Sequence, residues 1–246
     1  MGFVSYTEQQ IFDYIKCPLR YDSQYNLKIV PENHPSFAQL LNVTTSAFLL
    51  SLMSDKVMST GLLKRKWDVI CEANQDIISP QKCLEGLTAL LNMYRWAENE
   101  QLIVSDLKIP FTYSEVPHLL VKGEIGGAIV PLKRKKFEIL YLDYGYKYPD
   151  QALIDTKMKY TMDWVAFHTL YPKQKLAGIH IHHVKSSKDW YTVRAKEDML
   201  RLREAVRNIA ISIKNRLFYP RENVMCSSCD MKMYCRAWRG REKEVK

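Results

Sequence analysis

The stretch Cys226-Ser-Ser-Cys229-Asp-Met-Lys-Met-Tyr-Cys235 puts three thiols into ten consecutive residues. Thiolates are soft ligands that suit zinc or the iron of an iron–sulfur cluster, so a trio this tight points to a metal site. A tetrahedral centre needs a fourth ligand, and three more cysteines could supply it. Cys71 and Cys83 fall within helical patterns and read as ordinary core residues. Cys17 stands directly before Pro18, where a helix has to break, a good place to present a thiol. Spacing alone leaves zinc and a 4Fe–4S cluster both open. The start, MGFVSYTEQQ, has no apolar secretory core, and the longest apolar run, SAFLLSLM, is too short to span a bilayer. The expectation is a soluble intracellular protein of the cytoplasm or nucleoid, with no membrane partner and with cysteines used as thiols or metal ligands.

Lysine and arginine number 36 against 27 aspartates and glutamates, a formal net charge of +9 that favours a polyanionic partner, nucleic acid first among them. Arg203, Arg207 and Lys214 form a basic stripe beside the apolar stripe Leu202, Val206, Ile209, Ile213 and Leu217 of the last long helix. After the cysteines, Lys232, Arg236, Arg239 and Arg241 alternate with Tyr234 and Trp238. Such a mixture suits phosphate contacts and base stacking.

The order of elements gives the class. Ser5-x-x-Glu8 reads as a capping box for a short helix carrying Ile11, Tyr14 and Ile15. Residues 36–100 are mostly helical. From Leu102 the pattern turns to strands, in LIVSDLKIPFTYSEV, HLLVKGEIGGAIV and KFEILYLDYGY, expected to pair consecutively in one sheet. A helix with Ile154, Met158, Met162 and Val165 on one face follows, then the strand pair LAGIHIHHV and DWYTVRA, and the last long helix. The fold class is α/β (α+β), a central mixed sheet flanked by helices. The whole chain, 1–246, is expected to be one domain: a helical part over 1–100, a core over 101–217, and a cysteine and basic tail over 218–246.

Within the core, Glu124 and Asp143 stand on neighbouring strands and Lys147 follows. Paired carboxylates that hold Mg or Mn, with a lysine beside them, are what metal-dependent phosphodiester hydrolysis uses. Glycines occupy Gly126, Gly127 and Gly145, where such a site wants side chains. Among the histidines, His180 and His182 share a strand face with no carboxylate adjacent in sequence, and with His183 they read as exposed or nucleic-acid-facing.

The N-terminal SYTEQQIFDYIKCPLRYDSQY together with the distal C-x2-C-x5-C resembles the RecB-like branch of the PD-(D/E)xK nucleases in its iron–sulfur form, which includes the CRISPR-adaptation exonucleases and the AddB nuclease domain. The resemblance implies a restriction-endonuclease-like core and a 4Fe–4S cluster on Cys17, Cys226, Cys229 and Cys235. The cluster would tie the two ends of the chain together. It also implies what is missing. The family's Gly-x-Ile-Asp strand reads Gly123-Glu124-Ile125-Gly126 here, so the metal-binding aspartate is Gly126. Its Asp-Tyr-Lys reads Asp143-Tyr144-Gly145, so the lysine is Gly145. The helix with Gln-x-x-x-Tyr aligns with Asp163-Trp164-Val165-Ala166-Phe167, and His34 precedes the helix in which the family carries a histidine.

The reading that follows is a catalytically degenerate nuclease-like protein that keeps its cluster. Its task is to bind DNA, as single strands or duplex ends, or to serve as a recognition subunit beside protein partners of a replication, recombination, repair or transcription assembly. Two rivals stand beside it. One is an active exonuclease using displaced Glu124, Asp143 and Lys147 with Mg or Mn. The other is a metal-stapled protein-interaction module.

Overall fold

A computed structural model describes residues 3–30, 35–54, 57–145, 150–223, 226–227, 229–235 and 237. His34, Lys147, Arg236, Trp238 and Arg239 lie outside the described residues. The chain divides into two compact units. A terminal unit gathers Met1–Asn33, Thr112–Gly123 and Met199–Lys246; a central unit comprises His34–Phe111 and Glu124–Asp198. The class is the expected α+β, with helices and two sheets of mixed direction.

In the terminal unit, strand β1 (Val4–Thr7) runs parallel to β3 (Leu119–Glu124), pairing Val4 with Leu119 and Thr7 with Lys122. Drawing Val4–Thr7 into this pair moves the helix start. Ser5 lies in β1, and Thr7 with Gln10 forms the capping box of α1 (Glu8–Lys16). Helix α1 stops at Cys17, and Pro18 opens the short α2 (Pro18–Tyr21), as the Cys-Pro pair demands. Helix α8 (Lys196–Lys214) buries Leu202, Val206 and Ile209. It ends before the stripe does. Arg216 adopts φ 55°, and the Leu217 and Arg216 amides turn back to the carbonyls of Ser212 and Ile213. That is a Schellman stop, which leaves Leu217 50% exposed rather than on a buried stripe.

The central unit begins with three helices, α3 (Phe37–Leu52), α4 (Thr60–Ala73) and α5 (Pro80–Asn99). Each starts on a serine cap, Ser36, Ser59 and Ser79, whose hydroxyl accepts the amide three residues on. Leu41, Phe48, Leu63, Trp67, Leu90 and Met93 form their fully buried core. The α4–α5 contact is close because Gly86 has no Cβ; one added there would lie 2.2 Å from the Trp67 ring. Trp67 Nε1–H donates to the Cys83 carbonyl at 2.8 Å. Cys71 and Cys83 are not separate core thiols as expected: they face each other across this hairpin, Cα atoms 6.1 Å apart, and form a disulfide.

The strands split between two sheets, in the orders β1-β3-β2 (β2, Pro110–Tyr113) and β4-β5-β6-β7. HLLVKGEIGGAIV is therefore not one strand. It ends as β3 at Glu124 and restarts as β4 (Ala128–Leu132) after the glycine pair, whose lack of side chains lets the chain leave one sheet for the other. β4 returns through the basic turn Lys133–Lys135 as β5 (Lys136–Asp143), antiparallel as expected. The expected single helix beyond it is two, α6 (Gln151–Thr156) and α7 (Met158–Leu170). The break at Lys157 is held by the buried Arg194. Its guanidinium donates to the carbonyls of Ile154 at 2.8 Å and Asp155 at 2.9 Å at the end of α6, where the Ile154 carbonyl also accepts the Lys157 amide. The crossover delivers β6 (Lys175–His183) parallel to β5, and β7 (Lys188–Thr192) closes the sheet antiparallel to β6. β6 is an inner strand, buried at every residue from Gly178 to His183.

Candidate functional site

Three groups of residues in the structure have chemistry to offer, and one predicted site has been rebuilt into something else. The rebuilt one surrounds Gly126. The Gly126 amide donates to Asp163 Oδ2 at 3.1 Å, and the Tyr141 hydroxyl donates to the same oxygen. Lys159 Nζ bonds Asp163 Oδ1 at 2.8 Å and the Glu124 carbonyl at 2.7 Å. Asp163 is fully buried (0% exposed), so its charge relies on these donors. The space ahead of Gly126 is taken. A Cβ there would stand 2.8 Å from the Tyr141 oxygen and 2.9 Å from Lys159 Cε. Sequence reasoning treated Asp163 only as the wrong residue in a helix motif. Its spacing to Lys159, one helical turn, was the available signal.

Glu124 ends β3 exposed, and Asp143 ends β5 half-exposed with its Oδ1 accepting the Gly145 amide at 3.2 Å. The family's lysine position, Gly145, offers a carbonyl to His183 Nε2 at 2.9 Å. A carbonyl only accepts, so His183 carries its proton on Nε2 and takes the Ser186 hydroxyl at Nδ1, 2.7 Å away. A lysine near Asp143 does exist, at Lys157. Much of its side chain is exposed, but its ammonium lies 4.5 Å from the centre of the Tyr160 ring. That partial burial lowers its pKa, against the opposing pull of Asp143.

The thiols are in the terminal unit. Cys17, Cys226, Cys229 and Cys235 are all unbridged and half-buried. The backbone at 221–223 links two of them: the Arg221 amide donates to Cys17 Sγ at 3.5 Å and the Asn223 amide to Cys226 Sγ at 3.4 Å. Asn223 also reaches the Lys16 carbonyl at 3.2 Å, and Arg20 pairs with Asp230 at 2.9 Å. Burial pushes the Cys229 thiol up, with Asp230 and Cys17 adding to it against the Met231 amide and Arg20. Cys17 is thus tied to the Arg221 backbone across 204 residues of chain and lies near enough to Cys229 to influence its thiol.

The basic stripe lies in the same unit. Arg203, Arg207 and Lys214 line one groove of about 620 Å³ whose floor is apolar, with Val4, Leu119 and Ile211 among its walls.

The third group was misread in sequence. His180, His182 and His183 are 6%, 0% and 3% exposed, not surface residues. A carboxylate does stand beside them, supplied by the next strand: β7 pairs Asp189 directly with His182. His180 Nε2 and His182 Nδ1 lie 2.7 and 2.8 Å from the same Asp189 Oδ1, and His180 Nδ1 is 3.2 Å from Glu138 on β5. Burial alone would lower His180, but its bonds to Glu138 and Asp189 outweigh that and raise it; burial holds His182 below its ordinary value. Among the described residues, His180, His182 and Asp189 are the group of three potential ligand atoms within 4.8 Å of one another. Glu124 and Asp143 belong to no such group, nor do the four thiols.

No family model matches the chain, and no curated protein matches it in sequence. Among solved structures, its fold is similar to that of a Eubacterium rectale protein described as a "putative exonuclease". The TM-score is 0.54 at 10% identity, over 97% of this chain and 88% of that one. The likeness shows a shared fold. No helix among the described residues is long and apolar enough to cross a membrane.

Proposed function

We propose that this is a nuclease-fold protein that binds DNA without cutting it, held together at its ends by a metal centre on four thiolates. The observation that carries the loss of hydrolysis is the filled space at Gly126. A metal needs a carboxylate there, and the Tyr141 hydroxyl and Lys159 stand in its path while Asp163 neutralises the lysine. The groove supports the DNA reading. Its cations would meet phosphates while its apolar floor suits bases or sugars.

The test is a nuclease assay with Mg or Mn on single- and double-stranded DNA, run beside a salt titration of binding. Expected are no cleavage above background and an affinity that falls steeply with salt. Arg207→Ala should reduce the salt slope by about 1. Salt-independent binding, or none, favours the protein-interaction module. One observation favours a rival hydrolase with a different lysine from the expected Lys147: Lys157 lies near enough to Asp143 to feel its charge. Metal-dependent cleavage lost in both Asp143→Asn and Lys157→Gln establishes that rival instead.

The thiolate set fits a 4Fe–4S cluster better than a single zinc. Zinc holds its sulfurs about 3.8 Å apart, given Zn–S bonds of about 2.3 Å. No three of the four Sγ atoms come within 4.8 Å of one another. A cubane keeps its ligands farther apart, because iron and sulfide fill the space between them. Such a centre would serve structure here. Anaerobic purification should yield iron and sulfide near stoichiometric for one cluster, and Cys17→Ser should lower both iron content and melting temperature as much as Cys229→Ser. Stoichiometric zinc without iron in an iron-replete preparation replaces the cluster with zinc.

A further inference from the structure

We propose that His180, His182 and Asp189 form a binding site for one divalent transition-metal ion of the zinc class, distinct from the cysteine centre and from the Gly126 region. The site is built by sheet register. On β6, His180 and His182 share a face, and β7 sets Asp189 across from His182 on that face. Glu138, two residues before Leu140, reaches His180 from β5 on the other side. Aromatic rings fix both imidazoles: Trp96 stacks on His182 at 3.8 Å and Tyr191 on His180 at 4.4 Å. The ligand atoms are thereby aimed before any ion arrives, which lowers the cost of ordering them.

The proton count leaves room for a cation. Glu138 and Asp189 only accept. His180 lies between them with one ring nitrogen on each. A neutral imidazole has one proton, so the pair of contacts needs either a second proton on His180 or a cation at one of its ring nitrogens. His182 brings a second nitrogen to the same Asp189 oxygen. Its ring is fully buried and its Nε2 has no hydrogen-bond partner among the described residues, so the Nδ1 contact to Asp189 is its only side-chain hydrogen bond there. A divalent ion between His180 Nε2, His182 Nδ1 and Asp189 resolves all of this. His180 keeps its proton on Nδ1 for Glu138, the carboxylate–histidine–metal arrangement that orients zinc ligands. The ion's two charges match the two acids.

The geometry needs little change. Bonds of about 2.0–2.1 Å in a tetrahedron put ligand atoms about 3.3 Å apart. The two contacts to Asp189, now 2.7 and 2.8 Å, would open by about 0.6 Å on that scale. Asp189 can supply the movement, since its side chain is 33% exposed while His182's is 0% exposed. Three protein ligands leave the fourth position for water or a ligand atom from outside.

The test is a cobalt titration of the full-length protein after its cysteine-bound metal has been measured. Wild type should take up one further equivalent, with d–d absorbance and no new thiolate-to-cobalt band. Trp96 fluorescence should fall at the same midpoint and be unresponsive in Trp96→Phe. Asp189→Asn and His180→Gln should each weaken uptake at least about tenfold, and Glu138→Gln by roughly ten- to a hundredfold, the usual loss for an orienting carboxylate. The proposal is overturned by uptake of no further equivalent in wild type, by a thiolate band accompanying that equivalent, or by unchanged affinity in Asp189→Asn. The wild-type titration decides the matter by itself should a histidine variant fail to fold.

Discussion

Asp163 and Asp189 both belong to the central unit, and both collect donors from neighbouring strands or helices. Asp163 is fully enclosed and is matched by Lys159, Tyr141 and the Gly126 amide. Asp189 is one-third exposed and receives two histidines on one oxygen, one of which a second acid also claims. The first arrangement balances one negative charge with one positive charge and is closed. The second has two acids and two imidazoles and stays open to the number of protons or ions that join it. The fold has thus filled the spot where the resemblance leads one to look, while the β6–β7 hairpin gathers potential ligands.

The sharpest way to break this contrast is to neutralise each aspartate. Asp163→Asn should cost about 3 kcal/mol in urea denaturation, because it strands a mostly buried ammonium. A loss under about 1 kcal/mol would mean that Asp163 is not the anchor of that network. Next in size is Gly126→Ala, expected to cost about 2 kcal/mol by overpacking against Tyr141 and Lys159. In a Tyr141→Phe background, where the nearest contact is gone, that cost should shrink; additive losses in the double-mutant cycle would show that the hydroxyl is not what fills the space. Smallest is Asp189→Asn in metal-free protein, about 1 kcal/mol, because water can reach the group that is left. A loss as large as that of Asp163→Asn would erase the distinction between a closed site and an open one.

The elements with strong local signals were legible: the three N-terminal helices of the central unit, the β4–β5 turn over Lys133–Lys135, the β6–β7 pair and the Cys17-Pro18 break. The α+β class followed from their order. What escaped was set by partners distant in sequence. Ser5 lost its capping role because Val4–Thr7 found β3. Lys157 interrupts a helical pattern because Arg194, far along the chain, binds the carbonyls at the end of α6. The histidines looked partnerless because the carboxylate that meets them lies across a hairpin, visible only once the register is known. The Cys71–Cys83 link was hidden by reading each cysteine inside its own helix rather than across the turn between them.

The pairing of β1 with β3 carries a consequence for how the chain is made. Residues 4–7 wait for residues 119–122, Tyr14 for the carbonyl of Leu217, and Cys17 for the amide of Arg221. The central unit is drawn from residues 34–198, so much of it can form before the terminal unit has all its parts. Residues 4–17 are then among the last to settle, with Ile11 and Tyr14, buried in the finished fold, exposed to chaperones or to neighbouring chains in the meantime. A metal bound by the four thiols could be inserted only after that delay, which makes insertion a late step of biogenesis rather than a nucleus for folding.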